Sequence, residues 1–157
     1  MAKSYKRILL KLSGEGLMGN QQFGIDETVL HTFSESIKNV HDKGIELCIV
    51  IGGGNFYRGV NNTNKAVSRP VADQAGMLAT VINALFLKSA LNHKGVSAEI
   101  LSGLEVPQAA ETYSYRKAQE LLDSKTVLIF AGGTGNPYFT TDTGATLRAL
   151  EAGCDAL

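Results

Sequence analysis

Three short stretches bring together residues that can do chemistry on an anion: Lys11-Leu-Ser13-Gly14-Glu-Gly16, Ile51-Gly-Gly53-Gly54-Asn55 and Ala131-Gly-Gly-Thr134-Gly135-Asn136. Glycine lacks a Cβ, so backbone N–H groups in such loops can approach a phosphate, each bond to a charged partner contributing about 1.5–3 kcal/mol. Glycine also suits tight strand-to-helix turns, and that use stays open for each loop taken alone. Two phosphoryl groups brought within 4 Å repel by about 4 kcal/mol per pair of unit charges at an effective dielectric of 20, so a site for them needs fixed positive charge. Lys11 and Arg58 stand in or beside these loops. Each could instead be a solvated side chain. The stretch 132–142, GGTGNPYFTTD, holds three glycines, three threonines and the carboxylate of Asp142, more special residues than a turn requires. Asp142 sits where a helix should begin, as a cap or as a working carboxylate.

These residues must be held by elements that the hydrophobic pattern outlines. Residues 6–12, 46–51, 97–102 and 126–131 are short apolar runs with branched side chains, the pattern of strands buried on both faces. Between them lie helical patterns. Asp26 is placed to cap a helix carrying Val29, Leu30, Phe33, Ile37 and Val40 and ending at Gly44. A second runs from about Val71 to Lys94, a third from Tyr115 to Leu122, and a fourth from Asp142 to Glu151, with Gly153 ending it before another strand-like start, CDAL. Alternating strands and helices predict one α/β domain: an open, mostly parallel sheet with helices on both faces. All strand C-termini then lie on one edge, where such folds bind ligands. The connections over 14–25 and 52–70 are long enough to be functional.

Composition narrows the classes. The 157 residues are 44% hydrophobic, enough for one core, and fifteen basic and fifteen acidic residues cancel. No global field recruits nucleic acid or an anionic membrane, so an anion site must be built locally. The N-terminus breaks its apolar residues with Lys3, Lys6, Arg7 and Lys11, unlike a signal peptide, and the longest apolar stretch, 77–87, falls short of a span of about 20 residues. A cytoplasmic location is expected. Cys48 and Cys154 read as two reduced, buried thiols, and His31, His41 and His93 as helix-surface residues without metal-ligand spacing.

Known nucleotide motifs fit poorly. No G-x-x-x-x-G-K-[ST] occurs. Gly14, Gly16 and Gly19 match G-x-G-x-x-G after a strand, but the helix is expected only from Asp26, and glycines 52–54 stand where an acidic ribose ligand belongs in a dinucleotide fold.

In order along the chain, KLSGEG, IGGGNFYRG, ADQAGMLATVINAL (72–85) and GTGNPYFTTDTGA (133–145) resemble the bacterial uridylate kinases of the amino acid kinase superfamily. The resemblance implies ATP-dependent phosphorylation of UMP to UDP with Mg2+ in the cytoplasm, by a homo-oligomer, usually a hexamer, with GTP and UTP as effectors. Carried over by position, Lys11, Ser13, Gly14, Gly54 and Arg58 would contact the phosphates of ATP. Gly53, Asp73, Thr134, Gly135, Asn136, Pro137, Tyr138, Phe139, Thr140 and Thr141 would form the UMP site. Lys11, Arg58 and Asp142 would be catalytic. Asp73 could equally cap its helix. Gly19 to Gly24 would form part of the effector site, and the apolar INALF segment (82–86) would pack between subunits or inside one. Family members continue well beyond this length, so residues 1–157 are expected to be the UMP-binding N-terminal portion, with the rest of the ATP site on a missing C-terminal portion. Two other readings stay in view: an amino acid kinase acting on a carboxylate such as acetylglutamate, and a non-catalytic nucleotide- or oxyanion-binding protein of the same fold.

Overall fold

A computed structural model of the chain describes residues 5–57 and 66–157. Its framework is a five-stranded sheet: β1 (Arg7–Leu12), β2 (Glu46–Ile51), β3 (Ala98–Ser102), β4 (Glu111–Thr112) and β5 (Val127–Ala131). Every pairing is parallel, and the order across the sheet is β1-β2-β5-β3-β4. Side chains alternate between the faces of a strand, so each run feeds two cores. Leu47, Ile49, Ile51, Ile100, Val127 and Ile129 face one core, under α1 (Glu27–His41) and α2 (Arg69–His93). Cys48, Val50, Leu101, Leu128 and Phe130 face the other, where α3 (Tyr115–Asp123) and α4 (Thr141–Ala152) bring Ala118, Leu122, Ala145 and Ala149. The predicted α/β architecture is the one observed.

Helix ends follow their local chemistry. Asp26 caps α1, its carboxylate accepting from the amides of Thr28 and Val29. Gly153 closes α4 in the left-handed conformation. Three details differ from the sequence reading. A 3-10 helix, Gly14–Leu17, follows β1 where only a loop was expected. β4 was not foreseen, because two exposed residues carry no periodicity. The CDAL segment makes a single parallel bridge, Ala156 to Ile8, on the outer edge of β1.

α2 is 25 residues long and, by length and composition alone, apolar enough to cross a membrane. The sequence reading stopped short of this because it measured unbroken apolar runs rather than the whole helix. Here α2 packs on the sheet through Val81, Ala84, Leu87 and Leu91. The cysteines are free, as expected, yet they are not independent: Cys48 lies in the second core, Cys154 packs against that core, and each shifts the other's titration. Its neighbour Cys154, together with burial, pushes the Cys48 thiol up. Cys154 is only partly buried and follows α4 rather than lying in a strand.

Candidate functional site

The glycine loops follow β1, β2 and β5, three neighbouring strands, so they emerge side by side on the C-terminal edge. They close, together with the first turns of α2 and α4, on a cleft of about 460 Å3. Glu15 comes from the first loop, Gly53 and Gly54 from the second, and Gly133 and Thr134 from the third. The volume suits a mononucleotide-sized ligand. The cleft is shaped by backbone in close approach. A Cβ on Gly53 would come within 2.7 Å of both the Ala79 Cβ and the Gly76 carbonyl, so this glycine seats the β2 loop against α2. Thr80 ties in the third loop, its hydroxyl accepting from the Gly132 amide at 2.8 Å while donating to Met77 O at 2.6 Å.

Two carboxylates organise the rim. Asp142 pairs with Lys11, Oδ1 to Nζ at 2.7 Å, joining the start of α4 to the end of β1. The capping alternative for Asp142 falls away, since α4 is capped by Thr140, whose hydroxyl accepts from the Thr143 amide. Asp73 is likewise not a cap: α2 begins at Arg69, after Ser68, with Pro70 in its first turn. Its carboxylate takes Arg69 Nε at 2.7 and 2.9 Å and the Tyr138 amide at 2.7 Å. Those partners, the Tyr138 amide first, hold the Asp73 carboxyl below its usual range. Tyr138 has φ 71°, a left-handed backbone that costs a side chain with a Cβ about 1–2 kcal/mol, and the bond to Asp73 offsets that strain. The loop over 134–141 is thus clamped to α2.

Of the residues singled out in the sequence, Gly53, Gly54, Asp73, Thr134, Phe139, Thr140 and Thr141 line the cleft together. Lys11, Ser13, Gly14 and Asp142 lie outside its lining, on the β1 side of the same edge. Gly135, Asn136, Pro137 and Tyr138 are in the loop but do not line the cleft, and Thr134 and Asn136 spend polar atoms on each other's backbone. Arg58 lies outside the described residues. Tyr57, Arg69, Ala72, Gly76, Met77 and Thr80 line the cleft and were not foreseen. Arg69 had a legible signal, its i,i+4 spacing to Asp73, which the late helix start concealed.

Comparison with known proteins adds relationship to geometry. The model of the amino acid kinase family matches residues 6–157. A uridylate kinase of Ruegeria sp. (strain TM1040) is 51% identical over 154 residues, covering 98% of this chain and 62% of its own length. A uridylate kinase of Bacteroides thetaiotaomicron is 52% identical over 157 residues, 100% of this chain and 66% of its own. The chain therefore spans a little under two thirds of the length of these relatives. Among solved structures, the UMP kinase from Bacillus anthracis superposes with a TM-score of 0.93 at 36% identity, over 98% of this chain and 64% of that one.

Proposed function

The chain belongs to the amino acid kinase family, and from that premise we propose that its cleft binds UMP and that the protein transfers the γ-phosphoryl group of ATP to it, giving UDP. One observation carries the reading: three glycine loops from adjacent strands meet at one cleft of mononucleotide size, with a lysine–carboxylate pair beside it. The likeness to proteins named uridylate kinase and UMP kinase supports the choice of substrate.

In this reading Gly53, Asp73 and the 134–141 loop hold the uridylate, while Lys11, Ser13, Gly14, Gly54 and Arg58 meet the phosphates of ATP. Phosphoryl transfer through a loose transition state asks for alignment and charge stabilisation rather than a protein nucleophile. Lys11 supplies positive charge at the transferring group, Asp142 orients its ammonium, and the glycine amides complete the cradle. Among the described residues no group of three or more His, Cys, Asp or Glu could hold a metal ion. Magnesium usually binds through one or two carboxylates plus substrate phosphates, so these residues fit a cation borne by ATP, with Asp142 the nearest carboxylate to the Lys11 ammonium. Bound there, it would neutralise phosphate charge.

Residues 1–157 act as the UMP-binding portion, in a cytoplasmic homo-oligomer that responds to GTP and UTP. The oligomer has support in α2, which leaves Val71, Leu78, Ile82, Leu85 and Phe86 exposed along one side. Thermal unfolding with added ligand tests the substrate. A ligand bound only by the folded state raises the melting temperature, so UMP is expected to raise it more than CMP or acetylglutamate. Equal shifts from all three would defeat the assignment, and a larger shift from acetylglutamate would favour a carboxylate kinase.

A further inference from the structure

Asn83 lies in the middle of α2 and is fully buried, and Asn55 in the β2 loop is 2% exposed. A primary amide in such surroundings is costly unless all its bonds are made. Here they are. Asn55 Nδ2 donates to Asn83 Oδ1 at 2.9 Å and Asn83 Nδ2 donates to Asn55 Oδ1 at 2.7 Å, a reciprocal pair. The second hydrogen of each amide goes to a loop carbonyl, Asn83 to Gly52 O at 2.7 Å and Asn55 to Gly24 O at 3.0 Å. Turning either amide over would set oxygen against a carbonyl, so these two acceptors fix both orientations.

The pair touches three segments. Gly24 returns its own amide to Asn55 O at 3.0 Å, and Phe23 meets Phe56 edge to face with centroids 5.3 Å apart. Gly14 rests on the same pair: a Cβ there would collide with Gly52 O and come within 2.7 Å of Asn55 Oδ1. One amide pair thus sets the loops after β1 and β2 and the 23–24 segment relative to α2.

We propose that Asn55 and Asn83 are positioning residues: their reciprocal amide pair holds the loops after β1 and β2 in the one arrangement whose backbone amides take nucleotide phosphates. The inference rests on the reading of those loops as phosphate contacts. It places a polar lock on the buried side of α2, which also carries Val81, Ala84 and Leu87, where packing alone would favour leucine.

The test compares Asn83→Leu, Asn83→Asp and Asn55→Leu/Asn83→Leu with Leu91→Ala, a core truncation at the far end of α2. Hydrogen exchange at the Gly24, Gly52 and Phe56 amides is measured beside the affinities for ATP and UMP. Asn83→Leu should speed exchange at those amides while β5 stays protected, and weaken ATP binding by on the order of tenfold. Asn83→Asp is nearest in shape but turns an acceptor toward Gly52 O, so it should lose at least as much. The double variant should lose no more than about the worse single one, because the two residues form one unit. Leu91→Ala should lower the melting temperature without moving ATP affinity. Should Asn83→Leu fail to fold, Asn83→Ser carries the same comparison. Unchanged loop exchange, a harmless Asn83→Asp, or affinities that track melting temperature across all variants would overturn the proposal. A parent protein that binds neither UMP nor ATP would instead sink the substrate reading, and the exchange data would still decide whether the lock exists.

Discussion

Lys11 and Asp142 form a 2.7 Å pair with both groups partly open to solvent, a geometry worth little to stability. Its use is orientation. Asp142→Asn keeps the shape and loses the charge, so in the proposed kinase it should lower kcat on the order of 10²-fold while UMP affinity stays nearly unchanged, as steady-state kinetics would register. Asp73 plays a different part, because its carboxylate clamps Tyr138 and Arg69. Its folded-state pKa is depressed below the ordinary 3.8, so its contribution is full above that value and is lost as pH falls through the lower folded one. Asp73→Asn should therefore melt below the parent at neutral pH, and the gap should shrink in acid well below 3.8 when melting is followed against pH. Gly53, Gly54 and the threonines of the 134–141 loop were legible as neighbours in one cleft because parallel strands end on a common edge. Arg69 and Thr80 were not, since their roles depend on which loop lies against α2, and no local pattern encodes that.

At the level of elements, caps and glycines spoke most clearly. Asp26 and Gly153 marked helix ends where they stand, whereas the start of α2 was placed two residues late at Val71, although Pro70 suits a first helical turn. The 3-10 turn and β4 escaped notice because four and two residues are too few to show a period. Gly53 reports on packing between elements: a methyl group there presses on both Ala79 and the Gly76 carbonyl. Gly53→Ala should push the β2 loop off α2, destabilising the fold by about 1–3 kcal/mol in chemical denaturation. It should also weaken UMP binding. A variant as stable and as competent as the parent would mean that the loop yields freely, against the tight seating described.

For the whole molecule the decisive fact is strand order. β5 inserts between β2 and β3, so the third glycine loop lands beside the second although 76 residues separate Gly54 from Ala131 in order. Periodicity predicted β1, β2, β3 and β5 and their common edge, but the sequence of neighbours is set by packing of α2 and α4 on opposite faces and is not written in any one segment. That order is why the cleft has three walls. A crystal structure of the protein soaked with UMP addresses this directly. The nucleotide should lie between Gly53 and the 134–141 loop, with its phosphate toward backbone amides at the strand ends. Density for UMP at any other face, or an empty cleft at saturating concentration, would contradict the assignment of this edge as the site.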